Sequence, residues 1–241
     1  MSKDNNLHDF LTDIADAVRE KKGTSEKINA QNLSSEIRGI ESGEVNVFGE
    51  TMVDKTGEGN NKVTSVVISN DAETINANAY RYFSNLKQVE FWDSIKMIGP
   101  HSFNYCEKLE SVVLPKSISS IGQHAFSQCV NLRHFEIHID APITIWSRCL
   151  LWNSPLLRSI VIPKNIKIFS EFSIEKCTGV ECIDLSNCIA IPAMSHVNAF
   201  SQTTGQFVVP DNLYDEWIVA TNWSTYADRI VKASEYQPNN E

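Results

Sequence analysis

Histidine, cysteine and carboxylate positions are where any chemistry would first show. His134, Glu136 and His138 alternate along one segment. An extended chain puts all three on one side, roughly 6.6 Å apart at successive outward positions. Those are metal-ligand types, but one strand cannot wrap an ion, so a solvated row is expected and no metal site. The six cysteines are Cys106, Cys129, Cys149, Cys177, Cys182 and Cys188. None pairs at C-x-x-C spacing and no histidine stands at finger distance, so zinc is not expected. The even spacing of Cys106 and Cys129 reads as small apolar core filling, and Cys182 is expected to face outward as the accessible thiol. His101 and His124 each follow an Ile-Gly pair and read as residues that cap a bend. There is no phosphate loop, dinucleotide fingerprint, G-x-S-x-G elbow or H-E-x-x-H helix. No catalytic group is expected, and no cofactor.

Composition narrows the partners. Thirty acidic residues against twenty-one Lys and Arg give a formal charge of −9, and no basic stretch follows a phosphate backbone, so nucleic acid is not an expected partner. No run approaches the roughly 20 apolar residues that cross a bilayer, so membrane insertion is not expected. Met1 to Asn6 carries no apolar stretch, and export by a signal peptide is not expected.

The elements that would position these residues recur with a fixed period. Ile75, Ile98 and Ile121 lie 23 residues apart, as do Tyr80, Phe103 and Phe126, then Leu86, Leu109 and Leu132. Val89, Val112 and Phe135 form another column, and Phe91, Leu114 and Ile137 another. After a two-residue insertion the register resumes with Leu157, Ile160 and Ile162, and then Val180, Ile183 and Leu185. A period of this length means stacked structural units, each unable to bury its own apolar face. Segments such as Phe135-Glu136-Ile137 read as short strands, ended by Pro115 and Pro163. The expected fold is an α+β solenoid whose strands stack in one sheet.

The run Ile98-Gly99-x-x-Ser102-Phe103-x-x-Cys106-x-x-Leu109-x-x-Val112-x-Leu114-Pro115 resembles the BspA-like leucine-rich repeat. So does Ile121-Gly122-x-x-Ala125-Phe126-x-x-Cys129-x-x-Leu132. The resemblance covers 63–210, and it implies a C-terminal helical cap over 211–241, built from the stretch from Asp211 to Trp217 and from Asn222 to Ile230. Residues 143–156 depart from the pattern, with Trp146, Cys149 and Trp152 where the Ala-Phe and Cys columns should fall, so a bulged coil is expected there.

Ahead of the repeats, residues 1–41 carry two amphipathic stretches. Leu7, Phe10, Leu11, Ile14 and Val18 share one helical face, and Leu33 and Ile37 mark a second helix. Such short helices expose more apolar surface than they cover between themselves, so they need a partner: the solenoid, copies of themselves or another protein. Residues 42–62 read as a linker or small hairpin. The stretch Leu7-x-x-Phe10-Leu11-x-x-Ile14-Ala15-Asp16-Ala17-Val18-Arg19, with Leu33 and Ile37, resembles the opening segment of bacteriophage tail, baseplate and fibre proteins. That resemblance implies a virion structural protein assembled in the host cytoplasm, contacting other virion proteins as a homo-oligomer, with a trimer as one form.

Binding would fall to the outward strand positions: Gln88, Glu90 and Trp92, then Ser111 and Val113, then His134, Glu136 and His138, then Asp184. A Trp beside amides and carboxylates suits a host-surface glycan or protein. Two functions without turnover follow, a virion component that displays the solenoid and a cellular BspA-like surface adhesin.

Overall fold

The computed structural model describes residues 61–68 and 71–238. The helices expected within residues 1–41 and most of the 42–62 linker lie outside the described residues.

Each coil has three sides. On the first, β1 (Ser65–Val67), β3 (Gln88–Glu90), β5 (Ser111–Leu114) and β7 (His134–Ile137) form a parallel sheet in that order. Ser65 pairs with Gln88, Gln88 with Ser111 and Ser111 with His134, which is the 23-residue period made physical. The alternation buries Val112, Leu114, Phe135 and Ile137 and exposes their neighbours.

The second side is also built of strands, in place of the single sheet expected. β2 (Thr74–Ile75), β4 (Met97–Ile98) and β6 (Ser120–Ile121) pair in parallel, each with one buried and one exposed residue. The Ile75, Ile98 and Ile121 column is therefore a strand column. Farther along, β8 (Ile145–Trp146), β10 (Ile168–Phe169) and β12 (Ala193–Met194) repeat the second side. β9 (Ser159–Val161), β11 (Cys182–Asp184), β13 (Gln206–Val209) and β14 (Ile230–Lys232) repeat the first.

The third side is a ladder of turns. Tyr80, Phe103 and Phe126 donate their amides to Ser102, Ala125 and Leu150 of the next coil at 2.7, 2.8 and 3.1 Å. Two residues of each of five coils are left-handed: Asn78, His101, His124, Cys149 and Phe172 in one column, and Tyr82, Tyr105, Gln128, Asn153 and Lys176 in the other. Glycine is reserved for a closer approach. A Cβ on Gly122 would come within 2.4 Å of the Pro100 nitrogen in the preceding coil.

The expected bulge at 143–156 is not there. Trp146 occupies the strand column of Ile121, fully buried and paired with Phe169. Leu150 and Leu151 fill the Ala-Phe columns, shown by the Phe126 to Leu150 hydrogen bond, and Ser154 replaces the cysteine. The two extra residues fall instead between Ile137 and Ile143, since Ile143 already follows Ile118 by 25. Trp146 tolerates this register because it fills the same core position with a larger side chain.

The core runs the length of the stack. Tyr80, Phe103 and Phe126 lie ring on ring at 5.1 Å, and Phe135, Trp146 and Phe169 carry the aromatic run onward. The C-terminal end departs from a helical cap. Among its described residues only Tyr214–Trp217 (α1) is α-helical; Asp211–Leu213 and Trp223–Arg229 are 3-10 turns, and β14 then pairs with β13 as one more strand. The end closes where Trp223 packs on Phe200, Phe207 and Trp217 and donates from Nε1 to the Pro192 carbonyl at 2.7 Å.

Candidate functional site

The outward side of β3, β5 and β7 gathers eight of the nine residues that the sequence assigns to binding. Gln88, Ser111 and His134 form one registered row. Two residues farther along each strand stand Glu90, Val113 and Glu136, with Val113 paired to Glu136. Trp92 and His138 follow the ends of β3 and β7. All eight are exposed. Trp92 keeps 45% of its surface in solvent and Val113 51%, so each offers apolar area to a partner. Beneath them β3 and β5 are each paired on both sides and β7 is paired to β5, so the side chains stand on a hydrogen-bonded sheet.

Electrostatics on this face are local. His134 Nε2 lies 3.3 Å from Glu136 Oε2, and His138 Nδ1 accepts from the Asp140 amide at 3.2 Å. Each imidazole is thus engaged by its own strand or turn. Among the described residues, no three His, Cys, Asp or Glu side chains converge where an ion could be held.

Asp184 does not join the group. It lies on β11, beyond β9, where it is half-buried and accepts the Ser186 amide at 2.8 Å. Its neighbour Cys182 also departs from expectation. It holds an outward strand position, yet only 9% of it is exposed, with the Tyr236 side chain of the C-terminal tail beside its thiol. Burial pushes the Cys182 thiol up. The outward side is therefore open over β3 to β7 and partly covered over β11 to β14. The covering strand had a signal, since Ile230 follows Phe207 by 23 residues. Tyr236 lies outside any repeat column and had none.

The remaining candidates are structural. All six thiols are buried and none forms a disulfide. Burial raises Cys129, Cys177 and Cys188 to about 12, so none is a nucleophile at neutral pH. The Sγ of Cys106 donates to the Tyr80 carbonyl, and that of Cys177 to the Leu151 carbonyl. His101 and His124 stack face to face at 4.8 Å and 7°. Desolvation lowers both, with Arg81 adding to the effect on His101 and His101 and Arg148 on His124. Parallel rings aim their lone pairs side by side, so this pair does not converge on a metal. Of the other tryptophans, Trp146 is core, and Lys176 sits 5.1 Å over the Trp152 ring.

Comparison with known proteins agrees with the geometry. A family model described as the BspA type leucine rich repeat region matches residues 58–181 in six copies, just over half of the chain. Among solved structures, the fold is similar to a leucine-rich repeat protein from Eubacterium ventriosum. The two are 18% identical, with a TM-score of 0.48 over 58% of this chain and 43% of that one. A leucine rich repeat protein of T. pallidum is 18% identical, with a TM-score of 0.47 over 72% of this chain and 81% of that one. A leucine rich cell surface protein from Faecalibacterium prausnitzii is 19% identical, with a TM-score of 0.41 over 61% and 53%. This chain spans less than half the length of the Eubacterium ventriosum protein. No curated protein matches it by sequence.

Proposed function

Because the chain belongs to the BspA type leucine-rich repeat family, we propose that it is a surface-displayed binding protein that engages a macromolecule without turnover. The observation that carries this reading is the open face of β3, β5 and β7, where exposed Trp92 and Val113 stand among Gln88, Glu90, Ser111 and Glu136. An aromatic anchor ringed by amide and carboxylate groups on a rigid sheet suits a glycan or an extended protein surface.

The partner would be a host-surface glycan or protein, met by several copies at once if the display is multivalent. The test is a panel of immobilised glycans and extracellular proteins, with Trp92→Ala as the comparison. The variant should keep its melting temperature and lose about tenfold or more in affinity for whatever the parent chain binds. Unchanged binding moves the site off this face.

A second reading rests on the sequence of residues 7–37, whose pattern resembles the opening of phage tail and baseplate proteins. In that case the same face would be carried on a particle. Mass spectrometry of density-purified phage particles and of the cell-envelope fraction separates the two readings. Stoichiometric recovery in particles replaces the surface reading with the virion one.

A further inference from the structure

The turns of the third side differ in charge from the rest of the chain. On a protein of net charge −9, the four turns at 76–82, 99–105, 122–128 and 147–153 contain no aspartate or glutamate. Each carries one basic residue instead: Arg81, His101, His124 and Arg148. Coils repeat at about 4.8 Å, so the four residues form a strip along the stack with one basic group per coil. The fifth turn, 170–176, ends the strip with Glu171 and Glu175, and Glu171 pairs with Arg148 at 3.6 Å.

Arg148 is exposed and the other three are half-buried. Arg81 has no carboxylate partner among the described residues. Its guanidinium donates to the Asn78 carboxamide at 3.4 Å and to the Tyr82 hydroxyl at 3.0 Å, and it lies 4.7 Å over the Tyr82 ring. Those contacts hold the group in place and leave its charge uncompensated. After desolvation, the influences on the two imidazoles are all positive: Arg81 on His101, and His101, Arg148 and Arg81 on His124. The same turns also leave buried polar atoms without a hydrogen-bond partner. Asn104 Oδ1 is one, in the side chain whose Nδ2 lies 3.2 Å from His101 Nδ1; Ser127 Oγ, in the turn of His124, and Arg81 Nε are the others. Three such atoms in three adjacent coils mark a place where the chain's own groups leave the bonding incomplete. Tyr82 and Tyr105, stacked at 5.0 Å, flank the strip, and Gln128 and Asn153 continue their column.

We propose that this strip binds a linear polyanion laid along the stack, an acidic polysaccharide whose sulfate or carboxylate groups meet Arg81, His101, His124 and Arg148 in turn. The column of Tyr82, Tyr105, Gln128 and Asn153 offers hydroxyl and amide groups to the sugar hydroxyls. Duplex nucleic acid is a poorer match, because it carries one negative charge per about 1.7 Å against one basic group per coil. The outward face of β3, β5 and β7 lies on another side of the coil, so this site and the reading of function stand or fall separately.

The test is binding of the full chain to immobilised heparin at constant low salt. Affinity should be about tenfold higher at pH 5.5 than at pH 7.5, because a bound anion favours the protonated imidazoles. Arg81→Gln should weaken binding about tenfold at both pH values, while Arg133→Gln, before β7 on the first strand side, should bind like the parent. The His101→Asn, His124→Asn double variant, which keeps residues tolerant of left-handed backbone, should lose the pH step. No binding by the parent, parental binding by Arg81→Gln, or a full pH step in the double variant overturns the proposal. Equally tight binding to duplex DNA overturns the choice of polysaccharide. Where a variant fails to fold, the parent chain decides by NMR. Heparin should raise the titration midpoints of two imidazoles, and unmoved midpoints overturn the proposal.

Discussion

Residues with full side chains occupy left-handed backbone twice in each of five coils, where glycine would be the cheaper choice. The cost, about 1 kcal/mol or more at each position, is offset by the turn ladder that those residues bond into. His101 and His124 add a stack of two imidazoles, each held below the ordinary histidine range mainly by desolvation. The direction of that shift fixes a pH dependence. The folded state binds fewer protons than the unfolded state once the pH falls below the unfolded value near 6.5, so acidification lowers stability through that window. Above it, both states are neutral and the pair has no effect. His124→Asn keeps a residue tolerant of left-handed backbone, as Asn78 already is in the same column. The variant should melt like the parent at pH 8 and lose less melting temperature between pH 7 and 5.5. An identical acid slope in thermal melts would show that the imidazole stack does not titrate on unfolding.

At the scale of the coil, the cysteine column sorts sound positions from compromised ones. Cys106, Cys129 and Cys177 each satisfy a carbonyl of the preceding coil, and Thr203 does so with its hydroxyl at 2.6 Å from the Ile174 oxygen. Ser154 holds the same place, yet its buried hydroxyl has no hydrogen-bond partner. Ser154→Cys should raise stability by about 1 kcal/mol in denaturant titration, because a thiol costs less to bury and its neighbours show the space for it. A lower midpoint would mean that this coil is already full. These columns were legible in the sequence because one residue type returns every 23 positions. The second strand side was not, since a two-residue strand shows a single in-out step that any turn can imitate. Trp146 and the Leu150-Leu151 pair hid the register, because they fill the Ile and Ala-Phe positions with other shapes. The family resemblance implied a helical cap over 211–241, although the 23-residue step from Phe207 to Ile230 pointed to a strand. For the candidate face, the alternation of polar and apolar residues located all eight members, and only the cover over β11 escaped, coming from a tail residue outside the period.

Across the whole molecule, neighbouring coils touch and distant ones do not, so damage should stay near where it is made. Trp223 is the place to see this, because it is fully enclosed by Phe169, Phe200, Phe207 and Trp217 at the C-terminal end. Trp223→Ala should cost about 3–5 kcal/mol. Hydrogen exchange should rise first at β11, β13 and β14 while β3 and β5 keep their protection. Uniform loss along the stack would show a single cooperative unit in place of coupled coils.

The insertion between Ile137 and Ile143 interrupts both strand ladders at one junction, leaving β7 unpaired with β9 and β6 unpaired with β8. The turn side stays bonded there, through the amides of His124, Phe126 and Gln128 to the carbonyls of Arg148, Leu150 and Trp152. The seam is also stitched at the opposite corner, where the Lys164 amide donates to the Ile139 carbonyl and the Asn165 side chain to that of Ala141, and on the second side by the Ser147 hydroxyl on the Ile121 carbonyl. A load applied along the stack therefore meets, at this one joint, turn and side-chain stitches where the neighbouring joints oppose it with paired strands.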